Sequence, residues 1–76
     1  MTRDHTNQFK QIGLNITYYR KLKGYTQEQL AERVEISRTH LSYVEAPNVP
    51  TSISLETLFE IASALGVEPA KLLEIR

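Results

Sequence analysis

Apolar side chains recur along this chain at helical spacing. Phe9, Ile12, Ile16, Tyr19 and Leu22 stand three or four residues apart, which predicts an amphipathic helix of about four turns. Residues 1–6 carry no such pattern and are expected to form a loose arm ahead of one domain over residues 7–76. Gly24 follows Lys23 and suits a left-handed C-cap. Thr26 and Gln29 have capping-box spacing, and Leu30, Ala31 and Val34 supply the buried stripe of a short second helix. Ser37 is a good N-cap for a third. Pro47 and Pro50 then impose a loop. Ser54 caps a fourth helix whose apolar set is Leu55, Leu58, Phe59, Ile61, Ala62 and Leu65, and Gly66 ends it. Pro69 fits the first position of a fifth helix, with Val67 placed to staple onto Leu72. No stretch alternates as a strand would. The expected fold class is all-α, a compact domain of five helices.

The third helix is unusual in what it lacks. Ser37–Glu45, "SRTHLSYVE", has two aliphatic residues, Leu41 and Val44. On a wheel of 100° per residue these point one way, and Arg38, Thr39, Ser42 and Tyr43 point the other. His40 and Glu45 fall on the flanks. Helices two and three are joined so tightly that they must cross steeply. The outward face can therefore do little but hydrogen-bond, and an arginine can bond a guanine edge with two parallel hydrogen bonds.

Composition narrows the partners. The 76 residues suffice for one small domain, and 41% are hydrophobic. Such a domain is marginal alone and gains from dimerising. With no cysteine, disulfide scaffolds, thiol catalysis and cysteine zinc sites are excluded, which fits a reducing, cytoplasmic setting. The polar N-terminus offers no secretion signal, and no apolar run approaches the roughly 20 residues of a membrane span. The sequon at Asn15–Thr17 is read as chance. Net charge is zero, split +2 over residues 1–45 and −2 over residues 46–76. With His5, His40 and Asp4 the only histidines and aspartate, no nucleophile–base–acid set or metal spacing can be assembled, so no enzymatic activity, cofactor or metal is expected.

The runs "TQEQLAERVEISRTHLSYVE" and "SLETLFEIASALGVEPAKLL" resemble the Cro/C1-type (Xre-family) helix-turn-helix domain, from about Phe9 to Leu73. The likeness rests on Arg20, on Thr26-Gln27-x-x-Leu30-Ala31, on Ser37, on Glu45, and on Ile61-x-x-Ala64-Leu65-Gly66-Val67. It implies a lambda-repressor-like fold whose third helix enters the DNA major groove. Arg38, Thr39, Ser42 and Tyr43 then fall on base-contact positions. Thr26, Gln27, His40 and Lys23 fall on backbone or supporting positions, and Arg20 with Glu45 on a structural salt bridge. The implied function is a sequence-specific regulator of transcription, a repressor or autoregulator, binding double-stranded DNA at a pseudo-palindrome as a homodimer. Leu55, Phe59, Leu72, Leu73 and Ile75 exceed what so small a core can hide, and are expected to form the dimer interface.

Two positions and one loop depart from the family pattern. Glu35 stands where glycine is usual in the turn between helices two and three, and Ala46 stands where glycine usually follows the glutamate. The loop "NVPTS" has no lysine or arginine, which lowers the expected non-specific affinity. Zero net charge and this unbasic loop leave open a rival reading, in which the fold serves as an antitoxin or other protein–protein module.

Overall fold

A computed structural model of the chain describes residues 5–49 and 51–75. Five helices are present among them: α1 Thr6–Lys23, α2 Gln27–Arg33, α3 Arg38–Glu45, α4 Leu55–Leu65 and α5 Pro69–Leu72. No strand occurs among the described residues, and none of these helices is long and apolar enough to cross a membrane. The expected arm lies mostly in residues 1–4, outside the described residues, and its last residue, Thr6, already belongs to α1.

Local chemistry sets the helix ends. Thr26 and Gln29 form a reciprocal capping box, with Gln29 N donating to Thr26 Oγ1 at 3.1 Å and Thr26 N donating to Gln29 Oε1 at 2.9 Å. Ser37 and Ser54 accept from the backbone N–H groups of His40 and Thr57. Each such cap is worth about 1 kcal/mol. Gly24 and Gly66 end α1 and α4 in the left-handed conformation. Pro69 occupies the start of α5, where its missing N–H costs nothing.

The core collects Ile12 and Ile16 from α1, Leu30 and Ala31 from α2, Leu41 and Val44 from α3, Leu58, Ile61, Ala62 and Leu65 from α4, and Leu72 from α5. Val34, in the turn after α2, joins them. Full burial of a Leu or Ile side chain contributes about 1.5–3 kcal/mol. Leu41 and Val44 are the only apolar residues that α3 buries, and apart from Glu45 none of its other residues is buried. Tyr19 is half-buried against this core.

Two expectations about the core are corrected. Leu22 continues the three- and four-residue spacing of α1 but is 70% exposed, because at 100° per residue it falls on the flank of the face that buries Ile12, Ile16 and Arg20. Leu72, expected at a dimer interface, has no exposed surface. The short α5 turns it inward to close the core, so it has nothing to offer a second chain.

Two non-apolar residues share the buried side of α1. Asn15 is buried, and its Nδ2 donates to Leu72 O at 3.0 Å and Glu74 O at 2.8 Å, while its Oδ1 accepts from Gln11 Nε2 at 3.0 Å. The amide thus ties the end of α5 to α1, and leaves the Asn15–Thr17 sequon no accessible acceptor. Gly13 lies where the last turn of α3 passes closest to α1.

Candidate nucleic-acid interface

α2 and α3 are joined by a turn in which Glu35 has φ 57°, a left-handed conformation in which a side chain costs about 1–2 kcal/mol relative to glycine. Glu35 therefore carries backbone strain that a glycine at this position would avoid. Ala46 is different. It follows α3 in an extended conformation, φ −71°, which any residue adopts, so no glycine is needed there.

The turn sets α3 so that Leu41 and Val44 are buried while Arg38, Thr39 and Tyr43 are exposed and Ser42 and His40 are half-buried. Tyr43 leaves 52% of its surface open on a face with no apolar neighbour in the helix.

At the N-terminal ends of α2 and α3, Arg20, Thr26, Gln27, Glu28 and Arg38 line an open cleft of about 450 Å³. The first-turn N–H groups of Gln27 and Glu28 have no intrahelical acceptor, and both residues line the cleft together with Arg38. Glu28 brings a carboxylate to the same rim. Its position was readable in the sequence, but only packing shows that it shares the cleft with Arg38.

The floor of this arrangement is a buried ionic cluster. Arg20 Nε donates to Glu45 Oε2 at 2.8 Å, and Arg20 Nη2 donates to Glu45 Oε1 at 3.0 Å. Gln27 Nε2 donates to the same Oε1 at 3.0 Å. Arg20 Nη1 donates to Tyr25 O at 2.8 Å. One carboxylate thus binds α1, the start of α2 and the end of α3 together, with its charge compensated and each Arg20 guanidinium nitrogen hydrogen-bonded. Gln27 was expected against DNA backbone or a neighbouring recognition residue; here its amide is held by Glu45. The role of Tyr25 O was not readable from spacing. Beyond it, the Arg33 guanidinium stacks over the Tyr25 ring at 4.9 Å.

Lys23 does not join this site. Its ammonium lies near Gly66, at the C-terminal end of α4, and its side chain lines a small apolar groove with Tyr19, Leu22, Leu65 and Val67. The carbonyl end of α4 attracts a cation there. Lys23 thus stands apart from the cleft that Thr26, Gln27 and Arg38 line. Leu55, Phe59, Leu73 and Ile75 are exposed, at 65%, 52%, 45% and 65%.

Comparison with known proteins places this geometry. A family model described as helix-turn-helix matches residues 16–72. The transcriptional regulator SinR of Bacillus subtilis is 36% identical over 63 residues, covering 83% of this chain and 56% of SinR. The chain spans about half the length of the SinR regulators it matches, 56% and 55% for those of B. subtilis and Bacillus licheniformis. Among solved structures, SinR in complex with DNA, described as the master regulator for biofilm formation, aligns with a TM-score of 0.76 at 36% identity, over 83% of this chain and 98% of that one. The restriction–modification controller protein C.AhdI from Aeromonas hydrophila aligns with a TM-score of 0.76 at 30% identity, over 84% of this chain and 94% of that one. The matched residues contain the capped α2, the tight turn, the polar α3 and the Glu45 anchor. The chain belongs to the Cro/C1-type (Xre-family) helix-turn-helix family.

Proposed function

We propose that the chain binds double-stranded DNA in a sequence-specific manner and regulates transcription, with α3 as the element that enters the major groove. One observation carries the reading: α3 is anchored by Glu45 and buries only Leu41 and Val44 besides it, yet presents Arg38, Thr39 and Tyr43 to solvent beside the cleft at the start of α2. A helix with this face is suited to reading base edges. The structure of a relative solved with DNA, SinR, supports it.

In this reading Arg38 bonds a guanine edge, Thr39 and Ser42 bond base edges, and Tyr43 meets a thymine methyl or the sugar–phosphate backbone. Thr26, Gln27 and His40 support contacts to phosphate. The chain acts as a homodimer through Leu55, Phe59, Leu73 and Ile75. Its two copies of α3 then meet successive major grooves about 34 Å apart on a pseudo-palindrome. Binding at a promoter makes the chain a repressor or an autoregulator of transcription, in the cytoplasm and without catalysis.

The test is selection from a random pool of duplex DNA at near-physiological salt. Enrichment of a two-fold symmetric consensus supports the reading. Failure to enrich any sequence overturns it and turns the α3 face toward a protein partner.

A further inference from the structure

Gly13 is out of place by local criteria. It lies inside the 18-residue α1, where glycine is less favourable than alanine because it surrenders more backbone freedom. Its backbone is not among the positive-φ glycines, which are Gly24 and Gly66. No turn or cap requires it.

Close approach does. A Cβ at Gly13 would overlap the carbonyl oxygen of Val44, and would stand 3.3 Å from the Val44 carbonyl carbon and 3.4 Å from Glu45 Cα. All three atoms belong to the main chain of α3's last turn, so no rotamer change could make room. Seven residues further along α1, Arg20 grips the Glu45 side chain. Seven residues are almost two full helical turns, so Gly13 and Arg20 share one face of α1. The last turn of α3 is therefore mounted at two points, one steric and one ionic.

We propose that Gly13 is a positioning residue for DNA readout, fixing how deeply α3 seats on α1 and so where Arg38, Thr39 and Tyr43 stand. The inference rests on the DNA-binding reading above. α3 is only 8 residues, or roughly 12 Å, long, so a displacement forced at Val44 moves the whole helix. Hydrogen bonds to base edges are lost with small errors of distance and angle. Contacts to phosphate carry no sequence information and tolerate more. Leu41 and Val44 can stay in the core while α3 shifts. Gly13→Ala should therefore separate specific from non-specific binding, which a glycine that served packing alone would not do.

The experiment compares the whole chain with its Gly13→Ala variant. Amide chemical shifts of the free proteins report where α3 lies. Affinities are measured for the duplex selected by the wild type and for a scrambled duplex of equal length. The expected result is a folded variant whose shift changes concentrate in Arg38–Glu45. Its affinity for the selected duplex falls at least about tenfold, the scale of one lost bidentate base contact, with scrambled-duplex affinity unchanged. An unaltered preference for the selected duplex, with only a lowered melting temperature, overturns the proposal. If the wild type itself does not discriminate the two duplexes, the DNA reading fails, while the amide shifts still decide whether Gly13 seats α3. Should the variant be unfolded in buffer, the comparison is made in sucrose, which favours the compact state. Failure to recover a folded chain with a displaced α3 then also overturns the proposal.

Discussion

Arg20 and Glu45 face each other across α1 and α3 with two parallel hydrogen bonds, Nε to Oε2 at 2.8 Å and Nη2 to Oε1 at 3.0 Å, and both residues are buried. Their charges have left water, which is costly, and the pair is viable because Gln27 and Tyr25 O satisfy further hydrogen-bonding groups. The cluster couples folding to function: the carboxylate that closes the fold also holds the helix that carries Arg38.

Removing one partner should leave the other's buried charge without its counter-ion. Arg20→Met or Glu45→Leu is expected to cost about 3–5 kcal/mol, against a total of about 4–11 kcal/mol for a chain of this length. The double variant Arg20→Met/Glu45→Leu should lose clearly less than the sum. Urea unfolding of all four proteins reads the coupling, and simple additivity would contradict the buried-pair account.

Asn15 offers a second long-range test. Its side chain joins α1 to the carbonyls of Leu72 and Glu74. Asn15→Ala orphans the buried Leu72 carbonyl, at about 1–3 kcal/mol for an unsatisfied buried acceptor. Hydrogen exchange should quicken in α5 first. Uniform quickening across α1–α4, with α5 no faster than the rest, would show that the amide does not act as a latch.

The left-handed turn can be relieved. Glu35→Gly removes about 1–2 kcal/mol of strain but adds about 0.5–1 kcal/mol of unfolded-state freedom. The net expectation is a gain of between about zero and 1.5 kcal/mol, seen as a higher urea midpoint with an unchanged slope. Glu35→Val should lower the midpoint, since a branched side chain tolerates this φ worst. A lower midpoint for Glu35→Gly would mean that the glutamate side chain stabilises the turn in some other way.

These residues also mark what was legible in the sequence. Helix limits were readable because Thr26, Ser37, Ser54, Gly24, Gly66 and Pro69 act locally, through their own backbone. The outward face of α3 was readable because two aliphatic residues leave only one inward direction. Asn15 and Gly13 were not, because each answers to a partner far along the chain. Asn15 meets a carbonyl 57 residues away, and Gly13 meets Val44. The misplacements of Leu22 and Leu72 have the same root. Spacing tells which residues share a face, but only packing tells where the covering layer stops. Lys23 was drawn away by the end of α4, which no local pattern announces.

The exposed set Leu55, Phe59, Leu73 and Ile75 yields an association test. Phe59→Glu places a charge in the proposed interface and, at 52% exposure in the single chain, should leave the fold intact. Sedimentation should change from dimer to monomer, and affinity for a two-half-site duplex should fall far more than affinity for one half-site. An unchanged sedimentation profile would remove these residues from the interface.

The most direct test of the central claim is position-resolved. The sequence selected by the wild-type chain is varied one base pair at a time, and binding of the wild type and of Arg38→Ala is measured across the set. Arg38 is exposed at the start of α3, so the variant should melt as the wild type does. The account predicts a loss of about 1–3 kcal/mol on the wild-type site, with discrimination relaxed at one base pair of each half-site. A uniform loss across all sequences would make Arg38 a phosphate contact, and no loss at all would contradict α3 as the reading helix.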